Sequence, residues 1–217
     1  MTTPISPRVM KGGIVMLDPD TGIPRGFIVL QYNPDTVTRR LQPQSVGDQA
    51  DRSEVMRLKG PPIETVNVVA ELDATDQLAA PADNPLAATF GIQPQLSALE
   101  MLVYPSSAEL IANEVLTLLG TIEILPMQSP LAVFVWNPSR ITPVRVTGIE
   151  ITEEAFDANL NPIRAKVTLD MRVLNVNDTG FLNPAGALYL VYQIEKEALA
   201  IANTIQSASA LAAGVTS

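Results

Sequence analysis

Apolar and polar positions alternate along much of this chain with the period of a strand. Ile163, Ala165, Val167, Leu169, Met171 and Val173 are apolar, against Arg164, Lys166, Thr168, Asp170 and Arg172 between them. Successive strand side chains point to opposite faces, so this stretch predicts a strand with one face in a core and one in water or against a partner. Leu131-Ala132-Val133-Phe134-Val135-Trp136 is a fully apolar run, and residues 141–152 predict a further strand. The turn formers Asp157-Ala158-Asn159-Leu160-Asn161-Pro162 join it to the last one, so residues 130–176 predict an antiparallel meander. Its alternation slips once: Val144 and Val146 lie in one phase, Ile149 and Ile151 in the other. A β-bulge near Thr147-Gly148 would restore the register and curve the sheet, and on that reading Gly148→Val lowers stability.

Two more apolar runs, residues 13–17 and 27–32, flank Asp18-Pro19-Asp20-Thr21-Gly22 and predict a hairpin. Asn33-Pro34 ends its second strand, because Pro lacks the donor that a central ladder needs. Val37, Arg39 and Leu41 give a weak strand pattern, and Val66, Val68, Ala70 and Leu72 a clear one. Residues 73–84 read as a loop, with Pro85 at the first position of a short helix capped by Asn84. Helical spacing begins after Pro94 with Leu96, Leu99, Leu102 and Val103. Ser106 and Glu109 form a capping box for a second helix ending near Gly120, and both helices are expected to cover a face or an end of the sheet. From Asn183-Pro184 onwards, Leu188, Val191, Ile194, Ala198, Leu199, Ala202 and Ile205 predict a long helix, packed on the core or docked on a partner, with small residues from Ser207 that can fray.

The fold class is therefore mainly β, of α+β type. One domain is expected over residues 1–183, carrying a loop over 42–62 and helices near 94–120, followed by a helix and tail over 184–217. The loop is rich in Gln, Asp, Ser, Gly and Pro, and reads as a mobile loop or as an arm that orders on a neighbouring subunit.

Composition narrows the chemistry. The 217 residues hold 14 Lys and Arg against 23 Asp and Glu, a net charge of -9, which gives no electrostatic case for nucleic acid. The chain has no Cys and no His, which removes thiolate or imidazole zinc sites, Cys-His and Ser-His-Asp nucleophiles, and imidazole acid-base catalysis. No apolar run reaches the roughly 20 residues of a membrane span, and the amino terminus lacks a secretory apolar core, so a cytoplasmic origin is expected. Apolar residues make up 47% and charged residues 17%, below the roughly 25% usual in soluble domains. Such an exterior fits either an unusually apolar monomer or a subunit buried against neighbours.

Glu153 and Glu154 are adjacent on a strand and point apart, so they cannot flank one bond. Gly12-Gly13 lacks the phosphate-loop pattern. Arg164, Lys166 and Arg172 share a polar strand face opposite Glu150, Glu153 and Glu154, which pairs them within the hairpin or offers a row to a neighbouring protomer. Trp136, the only tryptophan, is a core residue or an interface anchor. The candidate interface residues are Arg52, Arg57, Lys59, Trp136, Glu150, Arg164, Lys166 and Arg172. No metal or cofactor site is expected.

Leu30-Gln31-Tyr32-Asn33-Pro34-Asp35-Thr36-Val37 resembles the F-N-P-E-x-hydrophobic strand end of the tube-initiator and baseplate proteins of contractile injection systems, the phage-tail-like particles. The run from Pro130 to Trp136, then Val146-Thr147-Gly148-Ile149-Glu150-Ile151, then Asn161-Pro162-Ile163-Arg164-Ala165-Lys166-Val167-Thr168-Leu169, is similar to their later P-P-x-x-x-F-x-W, hydrophobic-x-G-hydrophobic and G-x-P-x-R-A-x-V-x-hydrophobic pattern. The resemblance implies a tail-tube-like antiparallel β-barrel or sandwich in a hexameric ring. Such a ring would initiate or adapt the inner tube, with inner tube, spike or hub, and baseplate or sheath proteins as partners. Asn161 stands where the family often has Gly, and both suit a turn. Many relatives continue into a LysM domain, and only the helix follows Val176 here. Tube initiator, baseplate adaptor and a component nearer the cap therefore stay open, as does a monomeric ligand-binding β-barrel module.

Overall fold

The computed structural model describes residues 10–45, 57–118 and 129–215. Its strands are β1 (Gly13–Leu17), β2 (Pro24–Val29), β3 (Val37–Gln42), β4 (Ile63–Asp73), β5 (Leu131–Asn137), β6 (Arg140–Phe156) and β7 (Pro162–Val173). They form one antiparallel sheet in the order β2-β1-β5-β6-β7-β4-β3. The expected hairpin is β1–β2, and the expected meander is β5–β6–β7. Around them lie α1 (Thr75–Leu78), α2 (Pro85–Phe90), α3 (Gln93–Glu100), α4 (Ser107–Leu118), α5 (Val176–Thr179) and α6 (Pro184–Val215). The α+β class, the antiparallel sheet and the long carboxyl-terminal helix are as expected. Residues 73–84, expected as a loop, include the single turn α1. The helix α6 continues past Ser207 to Val215.

The sheet is not closed into a barrel, although it curls. Seven flat strands would hold β2 and β3 about 29 Å apart, and the eight steps from Val29 to Val37 reach at most about 28 Å. Gln31, only two residues past β2, already touches the far end of β4: its side-chain amide donates to the Asp73 carbonyl (2.5 Å) and accepts from the Asp73 amide (2.9 Å). In a flat sheet β2 and β4 would lie about 24 Å apart. The sheet therefore bends until a glutamine side chain spans what strand pairing leaves open.

A bulge accounts for part of that bend. Val146 pairs with Met171 and Gly148 with Asp170, leaving Thr147 as the extra residue, its hydroxyl donating to the Asp170 carbonyl (3.1 Å). Val144, Val146, Ile149 and Ile151 all then face one core, as the phase slip requires. Gly148 itself is not what forces it. A Cβ there would sit 3.5 Å from the Asp170 carboxylate, an ordinary contact. Gly148→Val is accordingly expected to change stability by no more than about 0.5 kcal/mol in urea unfolding. A larger loss would restore glycine as the cause of the bulge.

The core is built on one sheet face. Val66, Val68 and Leu72 of β4, Ala165, Val167, Leu169, Met171 and Val173 of β7, and Phe134 of β5 are buried there. Ile92, Leu96, Leu99 and Leu102, on and beside α3, cover that face, so the helical stripe predicted after Pro94 packs as expected; Val103 stays exposed. A second cluster joins Leu131 and Val133 of β5 to Ala185 at the root of α6, which makes β5 buried on both faces. Asn183 caps α6, accepting from the Ala185 amide at 3.0 Å, with Pro184 as its first residue.

Candidate assembly interface

The outer face of β4, β7 and β6 is polar and exposed, and most of its charges are already paired. Lys166 lies 3.5 Å from Glu154 and 3.9 Å from Glu71, while Arg164 binds Asp73 at 2.8 Å. Asp73 also accepts from the Thr75 hydroxyl and amide, and these bonds, with Arg164, hold its carboxyl below the ordinary value. Tyr32, Asp73, Glu71, Glu154, Arg164 and Lys166 rim an open depression of about 360 Å³. Its three carboxylates share two cations, with Lys166 between Glu71 and Glu154, so the depression presents a hydrogen-bonding surface with one excess negative charge.

The pairing of Arg164, Lys166 and Arg172 within the hairpin holds only for Lys166 with Glu154. Arg164 turns to β4, and Arg172 binds Asp178 of α5 at 2.7 Å. The register explains this: Glu150 faces Thr168, and a second irregularity near Glu154 puts Glu153 opposite Ala165 and Ala155 opposite Arg164. Among the described residues Glu150 is exposed and has no ion pair.

The remaining candidates are scattered. Trp136 is half-buried, packed on the main core and stacked on Phe134 with ring centroids 6.0 Å apart. Arg57 and Lys59 are exposed, and the Lys59 amide donates to the Gln44 carbonyl at 2.8 Å. Ser45 bridges Leu58, so the ends of the 42–62 loop are pinned together. Arg52, with residues 46–56, lies outside the described residues. Arg164 and Lys166 are therefore the candidates that the fold brings side by side.

Sequence reasoning missed a buried charge cluster. Glu64 is 3% exposed, on the core face in phase with Val66 and Val68, and that phase is the signal that marks it. Arg39, equally in phase with Val37 and Leu41, donates to Glu64 from Nε (2.8 Å) and Nη2 (2.5 Å), and from Nη2 to the Tyr192 hydroxyl (2.8 Å). Tyr192 in turn donates to Glu64 at 3.4 Å. Lys196 lies 4.0 Å from Glu64 and 4.1 Å from the Tyr192 ring centroid. Burial pushes the Tyr192 hydroxyl up and the Lys196 ammonium down, with Glu64 opposing the latter. This cluster fastens the first turns of α6 to β3 and β4.

What is left uncovered is apolar. On the strand β2, Phe27 is 69% and Val29 62% exposed, and β2 and β3 each have a single strand neighbour among the described residues. The capping box of α4 forms, with the Glu109 amide donating to Ser106 Oγ (3.2 Å) and the Ser106 amide to Glu109 (3.2 Å). Yet α4 does not cover the sheet as expected: it buries no residue, leaving Leu110, Ile111, Val115 and Leu118 exposed; Gly120 lies outside the described residues. Its capping and spacing are satisfied locally, so neither says what the helix packs against. No group of His, Cys, Asp and Glu suited to a metal occurs among the described residues, and none of their helices is long and apolar enough to cross a membrane.

No protein-family model matches the chain, and no curated protein matches it.

Proposed function

We propose that this chain is a structural subunit that assembles into a ring within a contractile phage-tail-like particle, where it initiates or adapts the inner tube at the baseplate. The observation that carries the reading is the curled but open sheet, whose outermost strands β2 and β3 each have one unpaired edge among the described residues. A neighbouring protomer can complete such edges by strand addition. The outward Phe27 and Val29 on β2 supply apolar surface beside that edge. The residue resemblance in Asn33-Pro34 and in the β5–β7 meander points to the same class of particle. Within the domain, Asn33 ties down the chain ahead of β1, accepting from the Gly12 amide (3.0 Å) and donating to the Met10 carbonyl (2.7 Å). A ligand-binding barrel is the weaker reading, since the sheet face that would line its lumen is filled by residues of α3.

The test is electron microscopy of the chain, alone and co-expressed with any tube and sheath proteins found encoded beside it. Six-fold rings or incorporation into particles are expected. The double substitution Phe27→Asp and Val29→Asp should abolish both while leaving the melting temperature within a few degrees, since both side chains are exposed. Neighbouring genes without tube and sheath proteins, or a chain that never joins a particle, would overturn the reading.

A further inference from the structure

The helix α6 spans 32 residues, about 48 Å, and only its root is buried. From Glu197 onwards every described side chain is exposed, although the sequence there is apolar and carries no charge from residue 198 to the end. Its apolar positions are not scattered. Val191, Ile194, Ala198, Ile201, Ile205 and Ala208 follow one another at steps of three and four, all exposed, and the sequence continues that spacing through Ala212 and Val215. This is the 3.5-residue period of a coiled-coil seam, with Val191, Ala198 and Ile205 at one core position and Ile194, Ile201 and Ala208 at the other. The residues that root α6 in its own domain, Ala185, Tyr189, Tyr192 and Lys196, lie on the opposite side of the helix. The chain's own sheet therefore cannot cover the seam.

We propose that this seam of α6 binds the same seam on further copies of the chain, as a parallel bundle of three or more helices. Copies fit it for three reasons. A 3.5-residue period sustained over this length is matched by a helix with the same period, and every copy supplies one. An uncharged segment offers nothing to a charged partner, whereas identical uncharged helices meet without repulsion. Finally, β-branched residues stand at both core positions, an arrangement that favours trimers and larger bundles over pairs. Area leads to the same number. A large aliphatic side chain contributes roughly 60–120 Å² on burial. The four described β-branched side chains of two helices thus fall well short of the ~1,200 Å² at the lower end of a stable interface. Sharing each seam between two neighbours raises that area. The parallel orientation, and only that, rests on the proposed ring, whose rotational symmetry brings like positions together.

The chain has no cysteine, so the full-length protein with Ile205→Cys carries a single thiol. Under mild oxidation it should form a disulfide-linked dimer in most molecules, while Leu199→Cys should not. Leu199 is 60% exposed against 62% for Ile201, but lies off the seam, so the comparison separates the seam from mere apolar exposure. In analytical ultracentrifugation, the Phe27→Asp, Val29→Asp protein, which lacks the ring contact, should still form the α6 oligomer. Adding Ile201→Lys should reduce it to monomer with an unchanged circular dichroism spectrum, and adding Leu199→Lys should leave it intact. A monomeric wild type at ~100 µM, equal cross-linking at Leu199→Cys, or none at Ile205→Cys overturns the proposal. Rings that form without the Ile205→Cys cross-link would remove the α6 bundle and keep the ring. Cross-linked bundles without rings would do the reverse.

Discussion

Replacing Arg39 with Met lowers the free energy of unfolding by about 3 kcal/mol, because it strips Glu64 of its closest cation while leaving the carboxylate buried. Breaking one side of a buried ion pair typically costs 3–5 kcal/mol. The low end applies here, since Lys196 at 4.0 Å and the Tyr192 hydroxyl at 3.4 Å still face Glu64. The pair as a whole contributes far less than its halves suggest, so Arg39→Met with Glu64→Leu should return to within about 1 kcal/mol of the wild type. Guanidinium unfolding of the two single variants and the double variant, at constant m value, measures the coupling. Amide exchange should also quicken in the first turns of α6, the part that Tyr192 and Lys196 fasten. A loss under 1 kcal/mol for Arg39→Met would mean that the α6 root is held by its apolar contacts alone.

The same cluster shows where sequence was legible and where it was not. The alternation in β7, and in β4 apart from the exposed Val69, reported which apolar side chains are buried, and its phase carried back from Val66 and Val68 was the only sign of the buried Glu64 that sequence reasoning missed. The phase slip at Thr147-Gly148 located a bulge because a sheet with one buried face cannot change phase without one. Partners across the sheet were hidden. Arg164 chose Asp73 over the hairpin glutamates because β4, distant in sequence, lies on its other side, and no local pattern records which strand becomes that neighbour. The Gln31–Asp73 link, between residues 42 apart, is equally silent in the sequence, so the degree of closure of the sheet could not be read from it. Helical periodicity gave the existence of α4 and α6 but not their partners: a stripe of Leu and Ile reads alike whether a sheet or another chain covers it. That ambiguity coincides with the surfaces on which the proposed assembly depends.

Gly91→Ala should be the most damaging single methyl addition in the connector that holds α3 on the sheet, costing about 4 kcal/mol. Gly91 ends α2 at φ +59 and ψ -132, a conformation closed to residues with a Cβ. Strain alone accounts for about 1–3 kcal/mol. The rest is contact. A Cβ at Gly91 would lie 2.0 Å from the Pro162 carbonyl oxygen, backbone that is itself fixed by the Ile92 amide donating to it at 2.8 Å. Relief requires that hydrogen bond to break and α3 to lift, taking the buried Leu96 and Leu99 with it. Gly180 isolates the two contributions. It has φ +76 and ψ 167 but nothing within 4 Å of its Cβ position, so Gly180→Ala should show strain without collision. Thermal and urea unfolding should therefore place Gly91→Ala at least ~2 kcal/mol below Gly180→Ala. Equal losses would show that α3 yields readily, and that the cover over the core face is not rigid.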